Sequence, residues 1–273
     1  MTNKKINWAA TILLAIGALA VLIPLYLTIT IAFKTPEELS SNLFNLPKHW
    51  MVSNFTNAIK TTNFFVALKN SIFVSFFSVI LTVLTNSMVA YAIARNMDKK
   101  FYKLLYYFFV SAMFIPFPII MLPLVRQTST WHLDNLFGLI LLYVVFNLAL
   151  NTFIYVGYIR TIPVELEEAA IVDGASTWRV FWKIIFPLLG PMNATVAILS
   201  CLYAWNDFLL PLVLLSNPDM ATLPLAQYIF QSQFSTNYTL AFASYLMALA
   251  PMLIVYMFSQ KWIISGVMRG SIK

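Results

Sequence analysis

Long apolar runs separated by short polar segments account for most of this chain of 273 residues. Five or six of the runs are roughly 18 to 25 residues long, the length that a helix needs to cross a hydrocarbon core about 30 Å thick. The runs are continuously apolar rather than alternating with a period of two, which disfavours a β-barrel. The pattern predicts membrane-spanning helices at residues 9–33, 69–94, 104–126, 136–158, 191–215 and 239–262.

The first run has to be distinguished from a cleaved signal peptide, because Lys4 and Lys5 precede it and Ala18-Leu19-Ala20 resembles a cleavage site. The run continues to Phe33, whereas the apolar part of a signal peptide is only about 7–15 residues long. We therefore expect a retained membrane helix.

The third run contains Pro116, Pro118 and Pro123. Proline is tolerated at membrane depth where neighbouring helices or a wet cavity satisfy the carbonyl groups that it leaves unpaired. Two interpretations stay open: a kinked helix packed within the bundle, and a kink that lines a pathway.

Composition excludes a soluble globular domain, because only 10% of the residues are charged and 60% are hydrophobic, against about 25% charged in ordinary domains. The net charge of +7 does not indicate nucleic-acid binding, since the basic residues are scattered over short loops. Twelve of the 17 Lys and Arg residues fall on one side of the predicted membrane and five on the other. The excess marks a cytoplasmic side that carries both termini, and it places segments 34–68 and 216–238 outside.

The connection at residues 159–190 departs from this basic trend, with four acids (Glu165, Glu167, Glu168 and Asp173) and no basic partner for them at helical spacing. Pro163 suits a first helical position and acids are favoured in a first turn. Gly174 is expected to end this helix and Ser176 to cap a second one that stops before Pro187.

The surface of this segment is suited to docking. Ala169, Ala170, Gly174 and Ala175 are small and allow close approach, Glu168 and Asp173 offer acceptors to a basic groove, and Ile171, Val172, Trp178 and Phe181 are apolar. A helix that presents an apolar face to a groove is a common docking mode. The alternative, a helix lying on lipid, would favour Lys and Arg on the polar face.

The spacing within this segment is that of a known motif. Glu168-Ala169-Ala170, three residues, Gly174, nine residues, Ile184, one residue and Phe186-Pro187 resembles the EAA loop of ABC-importer permeases, with Phe186 where the family has Leu. The stretch 205–212, WNDFLLPL, and the tail from Gln260 to Lys273 are similar to those of the carbohydrate branch, the MalG-like permeases.

The resemblance implies an all-α integral membrane protein with the type I ABC-importer permease fold, in which residues 159–190 form the coupling helices. It implies docking to a cytoplasmic ATPase through Glu168, Ala169, Ala170, Asp173, Gly174, Trp178 and Arg179. The expected partners are a second homologous permease, two ATPase subunits, an extracellular sugar-binding protein, the carbohydrate and the lipid membrane. ATP and Mg would be bound by the ATPase subunits, because this chain has no G-x-x-x-x-G-K-[ST] loop. We therefore expect a transport subunit rather than an enzyme, with no cofactor of its own.

Polar side chains inside predicted spans are candidates for substrate contact, since they are costly there. They are Asn147, Asn151, Tyr203, Trp205, Asn206 and Asp207. Aromatic faces and amide or carboxylate groups together suit a sugar, but a hydrogen-bond network between helices explains the same residues, and both interpretations stay open. His49 and His132 have no Cys or cluster of acids near them in the sequence, so we do not expect a metal site.

Two other functions remain as alternatives. An ion-coupled secondary carrier predicts paired membrane charges or an inverted repeat with broken helices in both halves, and the sequence shows one strong intramembrane acid, Asp207, without a matching half. An ABC permease for a non-sugar solute is the second alternative. Anionic cargo would call for further basic residues within the spans, and Arg126 alone lies near one.

Overall fold

The computed structural model of the chain describes residues 8–231 and 237–271. Almost all of this part is helical, which confirms the predicted all-α fold. Lys4, Lys5, Ile272 and Lys273 lie outside the described residues. The α-helices are α1 Trp8–Ala32, α2 Pro36–Ser41, α3 Ser53–Thr61, α4 Phe64–Ala94, α5 Lys100–Ala112, α6 Phe117–Thr130, α7 Leu136–Ile159, α8 Glu165–Val172, α9 Thr177–Val180, α10 Phe186–Leu188, α11 Gly190–Asn206, α12 Leu209–Leu214, α13 Leu223–Gln227 and α14 Tyr238–Ser271.

Four helical stretches in the described chain are long and apolar enough to cross a membrane alone: Ala10–Ala32, Phe64–Ala94, Leu136–Ile159 and Tyr238–Phe258. Two pairs of helices meet the same criterion only together and are bent, Lys100–Ala112 with Phe117–Thr130 by 105° and Thr177–Leu188 with Gly190–Asn206 by 76°. The described residues therefore contain four continuous spans, or six if each bent pair counts as one.

The predicted third helix, 104–126, is not continuous. It is interrupted between α5 and α6 at residues 113–116. Pro116 has an extended backbone and caps α6, and proline disfavours helical geometry in the residue before it, here Ile115. The prolines thus produce a sharp break rather than a gentle kink.

The predicted fifth helix, 191–215, also ends early. Helix α11 stops at Asn206, Asp207 is extended, and the short α12 follows. A continuous helix would need an N–H at Pro211 to pair with the carbonyl of Asp207, and proline has none. The second predicted helix, 69–94, in contrast begins earlier than expected, at Phe64.

The described residues form two compact units, one made of the residues up to Phe65 with those from Ala226 to Ile254, and the other of Val66–Leu225 with the described residues from Val255 onward. In the second unit, α7 contacts α5, α11 and α12. Its buried residues join two clusters, one around Tyr155 and Ile159 and the other around Leu139 and Tyr143. Helix α7 therefore lies at the centre of the unit that carries the acidic segment.

The acidic segment folds as two helices with the expected bend. Gly174 has a φ of +82°, the left-handed geometry that favours glycine. The N–H groups of Gly174 and Ala175 donate to the carbonyls of Ile171 and Ala170, a pattern that closes a helix C-terminus. Ser176 caps the next helix by accepting from the N–H of Arg179.

Two details of that prediction are wrong. Helix α8 begins at Glu165 with Val164 as its cap, so Pro163 precedes the helix. The second helix does not stop before Pro187. It continues through a π turn, Phe181–Ile185, into α10. The N–H of Phe186 reaches back to the carbonyl of Phe181, and this wider turn lets the helix continue into a residue without an N–H donor.

Two glycines of α7 give a matched test of the packing. A Cβ at Gly138 would overlap the backbone carbonyl of Leu133, whereas nothing lies within 4 Å of one at Gly157. Overpacking costs about 1–3 kcal/mol, and replacing glycine by alanine in a helix interior gains about 0.5–1 kcal/mol. We expect Gly138→Ala to lower the melting temperature of the detergent-purified protein and Gly157→Ala to maintain or raise it. Equal melting temperatures would contradict the close contact at Gly138.

Candidate functional site

Glu167 fixes the acidic segment to the end of helix α4. Its carboxylate lies 2.6 Å from Arg95 Nη2 and accepts a hydrogen bond of 2.6 Å from Arg95 Nε. The hydroxyl of Tyr91 donates to its other oxygen, also at 2.6 Å. Arg95 in turn donates to the carbonyl of Ile162, just before α8. The side chain of Glu167 is only 8% exposed, so its two oxygens need donors from the protein, and both have them.

The basic partner of the acidic segment was missed by the sequence analysis because it lies 72 residues away. Helical spacing reveals partners on the same helix only. Arg95 is one of the twelve basic residues that the sequence analysis placed on the cytoplasmic side, and it is the residue that neutralises Glu167.

Packing extends this attachment into the π turn. The ring of Phe181 lies 5.3 Å from the ring of Tyr91, and Val180, Phe181 and Ile185 are buried with Ile93 of α4. Between α4 and α9 an apolar cavity of about 240 Å³ remains, lined in part by Met88 and Trp178. The acidic segment and the end of α4 therefore form one packed structure.

The other acids of the segment face away from this contact. Of the predicted docking residues, Glu168, Ala169, Asp173, Gly174, Trp178 and Arg179 are exposed and Ala170 is half-buried. Beside them Ile171, Val172 and Trp178 are 57%, 86% and 61% exposed. We call this surface, residues 168–179, the docking surface. It combines acceptors, small residues and apolar side chains, as expected for a docking helix, and its role in binding an ATPase stays a prediction.

A second polar feature joins α7 to α11. Tyr143 donates to Asp207 at 3.0 Å and Tyr155 donates to Asn193 at 2.8 Å. Between these two bonds, Ser200 lies 3.5 Å from the amide oxygen of Asn147. Residues later in α7 contact residues earlier in α11, so the two helices are antiparallel. We call these three contacts the interhelical ladder.

The ladder bears on the substrate-pathway candidates. Asn147 and Asp207 take part in hydrogen bonds between helices, which is one of the two interpretations left open. Asn151 is fully buried, and neither atom of its amide has a hydrogen-bond partner among the described residues. Trp205 is buried as well, at 7% exposure.

Tyr203 and Asn206 differ from the other candidates because both are exposed. Asn206 donates to the carbonyl of Leu202 on its own helix. Tyr203 packs edge-on against Tyr143 at 5.6 Å and lines a cavity of about 440 Å³ at the break between α5 and α6, with Phe109, Met113 and Phe117. Tyr203 is the one candidate in this largely apolar cavity, so the structure does not gather the six residues into one site.

Other members of the ladder were not predicted. Tyr143, Tyr155, Asn193 and Ser200 each form one side of a contact. The available signal was the four-residue series of polar side chains at 143, 147, 151 and 155 within an apolar run. No group of three or more His, Cys, Asp or Glu that could hold a metal occurs in the part of the chain searched, the described residues.

Comparison with known proteins gives a consistent result. Residues 86–269 match the model of a family described as binding-protein-dependent transport system inner membrane component. The chain is 37% identical over 277 residues, 99% of each chain, to the multiple sugar-binding transport system permease protein MsmG of Streptococcus mutans. It is 35% identical over 250 residues to the probable starch degradation products transport system permease protein AmyC of Thermoanaerobacterium thermosulfurigenes, covering 92% of this chain and 91% of that one.

Two further similarities extend this picture. The melibiose/raffinose/stachyose import permease protein MelC of Bacillus subtilis is 34% identical over 265 residues, 96% of this chain and 95% of that one. A similar fold occurs in the crystal structure of a bacterial ABC transporter involved in the import of the acidic polysaccharide alginate. The TM-score is 0.76 at 23% identity, covering 93% of this chain and 94% of that one.

The Arg95–Glu167 pair is testable by a double-mutant cycle. Glu167→Gln and Arg95→Met each leave a buried group without its partner, a loss of up to about 3–5 kcal/mol for a buried pair. We expect each single variant to lower the free energy of unfolding, measured by SDS titration in mixed micelles. The double variant should lose clearly less than the sum of the two. Additive losses would contradict the pairing, and the exposed Glu165→Gln serves as the control, with a change within about 0.5 kcal/mol.

The interhelical ladder predicts a second stability effect. Tyr143→Phe removes the hydroxyl that binds Asp207, and hydrogen bonds between membrane helices contribute about 0.6 kcal/mol on average and up to about 1.7. We expect Tyr143→Phe to destabilise the protein by an amount in that range. The control Tyr203→Phe removes a hydroxyl from the ring packed against Tyr143 without touching the ladder. A loss from Tyr203→Phe as large as that from Tyr143→Phe would rule out the hydrogen bond as the cause.

Proposed function

Since this chain belongs to the family of binding-protein-dependent transport system inner membrane components, we propose that it is a permease subunit of an ATP-driven importer of a carbohydrate, of oligosaccharide size. Members of this family are transport components rather than enzymes. The chain would therefore contribute the path through the membrane and its gating, and a separate subunit would contribute ATP hydrolysis.

The docking surface is the observation that carries the proposal. An exposed helix pair with acidic, small and apolar residues is attached by the buried Glu167 to the end of a membrane-spanning helix. A surface that is exposed on one side and rigidly held on the other is suited to passing a displacement from a cytoplasmic partner to the membrane helices. Its sequence spacing also supports this role, because it is that of the coupling loop.

These attachments support the following mechanism. Two ATPase subunits bind ATP and Mg, and their closure moves the docking surface seated in a groove of one of them. The Arg95–Glu167 pair passes the movement to α4, and the buried Phe181 and Ile185 pass it to the core around α7. The movement switches the translocation path between inward-open and outward-open states by alternating access.

The proposal of a carbohydrate cargo is supported by the relatives, whose names refer to multiple sugars, starch degradation products and melibiose, raffinose and stachyose. In this chain, Tyr203 is exposed beside a cavity and offers an aromatic face. Asn147 and Asp207 are engaged in the ladder, so we assign them to helix packing. A second, homologous permease would then supply most of the polar contacts to the sugar.

The arrangement in the membrane follows from the distribution of charge. The family is an inner-membrane component, and we place both termini and the docking surface on the cytoplasmic side, where twelve of the 17 basic residues lie. An extracellular sugar-binding protein would deliver the cargo on the opposite side. A large apolar surface on α1, where Leu13, Leu14 and Val21 are more than 70% exposed, remains available for lipid or for the second permease.

The decisive experiment is co-purification of the chain with its neighbouring subunits, followed by ATPase assays with the binding protein and a panel of sugars. We expect the wild-type complex to contain an ATPase that one sugar class stimulates several-fold. Glu168→Lys places a cation where a basic groove is expected, so it should release the ATPase or abolish the stimulation.

Asp98→Lys is the matched control, an equal charge reversal at an exposed residue outside the docking surface. It should retain both the ATPase and the stimulation. A wild-type chain that binds no ATPase and moves solute alone under an ion gradient would refute the proposal in favour of a secondary carrier. Stimulation by a non-sugar solute would refute the cargo only.

A further inference from the structure

An exposed apolar segment lies between α2 and α3 in the first compact unit. Phe44, Leu46, Trp50 and Val52 have 57–62% of their surface exposed. Four large apolar side chains within nine residues form the kind of patch that marks an interaction with a membrane or another protein. We call residues 42–52 the apolar segment.

The backbone of this segment is held in place by side chains of the same unit. Lys34 is 1% exposed, and its ammonium group donates to the carbonyls of Asn42 and Leu43 at 2.9 and 2.8 Å. The side chain of Asn42 accepts from the N–H groups of Phe44 and Asn45. The exposure of the apolar side chains is therefore a feature of an ordered turn.

The segment turns back along helix α1 instead of extending beyond it. The hydroxyl of Tyr26 donates to the carbonyl of Phe44 at 2.6 Å. Tyr26 lies six residues before the end of α1 at Ala32, which is about 9 Å along the axis at 1.5 Å per residue. Helical side chains lean toward the N-terminus, so the hydroxyl does not lie nearer to the helix end than its own Cα.

This depth is that of the boundary between lipid and water. The stretch Ala10–Ala32 qualifies as a membrane span, and tyrosine near the end of a span is typical of the interfacial belt. An apolar cavity of about 460 Å³ opens at the same level, lined by Pro24, Leu27 and Leu43 among others. The apolar segment thus faces an environment in which apolar side chains are favoured.

The hydrogen bonds provide an independent argument. Three successive carbonyls, those of Asn42, Leu43 and Phe44, are satisfied by donors from Lys34 and Tyr26. A loop surrounded by water needs no such donors, because water can bind its carbonyls. Toward the hydrocarbon side of the interface water becomes scarce, so backbone polar groups there have to be satisfied within the protein.

We propose that residues 42–52 form a lipid anchor, in which Phe44 and Leu46 insert into the bilayer interface beside the last turns of α1. Trp50 packs against Phe33 just beyond the helix end, with their ring centroids 5.1 Å apart. Lys48 and His49, which are exposed between Leu46 and Trp50, face the headgroups. The anchor fixes the depth of the last turns of α1 and of the loop leading to α3. This role is separate from the docking of an ATPase and from the choice of cargo.

Spin labelling tests the anchor in the assembled transporter, reconstituted in phosphatidylcholine vesicles. With Cys201 replaced by Ala, single cysteines at Phe44 and Leu46 would carry a nitroxide. We expect both labels to collide several-fold more often with oxygen, which concentrates in lipid, than with a water-soluble nickel complex. Leu19→Cys, in the middle of α1, provides the lipid reference.

Asn57→Cys, on an exposed position of α3, is the matched aqueous control and should show the opposite ratio. Labels at Phe44 and Leu46 that behave like the one at Asn57 would overturn the proposal. The proposal would equally fail if those labels became protected from nickel only after addition of the binding protein, since that result would assign the segment to protein docking.

Discussion

The buried contact of Glu167 with Arg95 and Tyr91 determines how the rest of the second unit can act. One carboxylate receives three close donor contacts at 2.6 Å from the end of α4, in a place that is nearly closed to water. Removing a single partner would leave a buried charge without compensation, which is far more costly than the pair itself is stabilising. The pair therefore holds the acidic segment in one position. The two adjacent acids of the segment have different surroundings, because Glu167 faces the protein and Glu168 faces outward.

A second constraint comes from the membrane, where a polar group without a partner inside the protein is costly. The ladder between α7 and α11 is one response, because it places three polar contacts along two otherwise apolar helices. The donors from Lys34 and Tyr26 to successive carbonyls would have the same role in the proposed lipid anchor. In both cases the polar residues are explained by the groups that they satisfy.

The fold class could be predicted from the sequence because continuous apolar runs of this length have few other solutions. The breaks within the predicted third and fifth helices were harder to predict. Pro116 and Pro211 were visible, but whether a proline kinks or ends a helix depends on the neighbours that take up the unpaired carbonyl. The docking surface followed from local spacing, since Gly174 and Ser176 act on adjacent residues. Glu167 could not be assigned, because its partner is 72 residues away and no local pattern carries that information.

The π turn at Phe181–Ile185 and the 76° bend that follows α10 have a mechanical consequence. At one end the acidic segment is held by Glu167. At the other end it meets α11 through Leu188–Gly190, where Pro187 and Pro191 lack the N–H groups that a continuous helix would need. Because the segment is attached to α4 at one end and continues into α11 at the other, a force applied to the docking surface would reach two membrane helices at once.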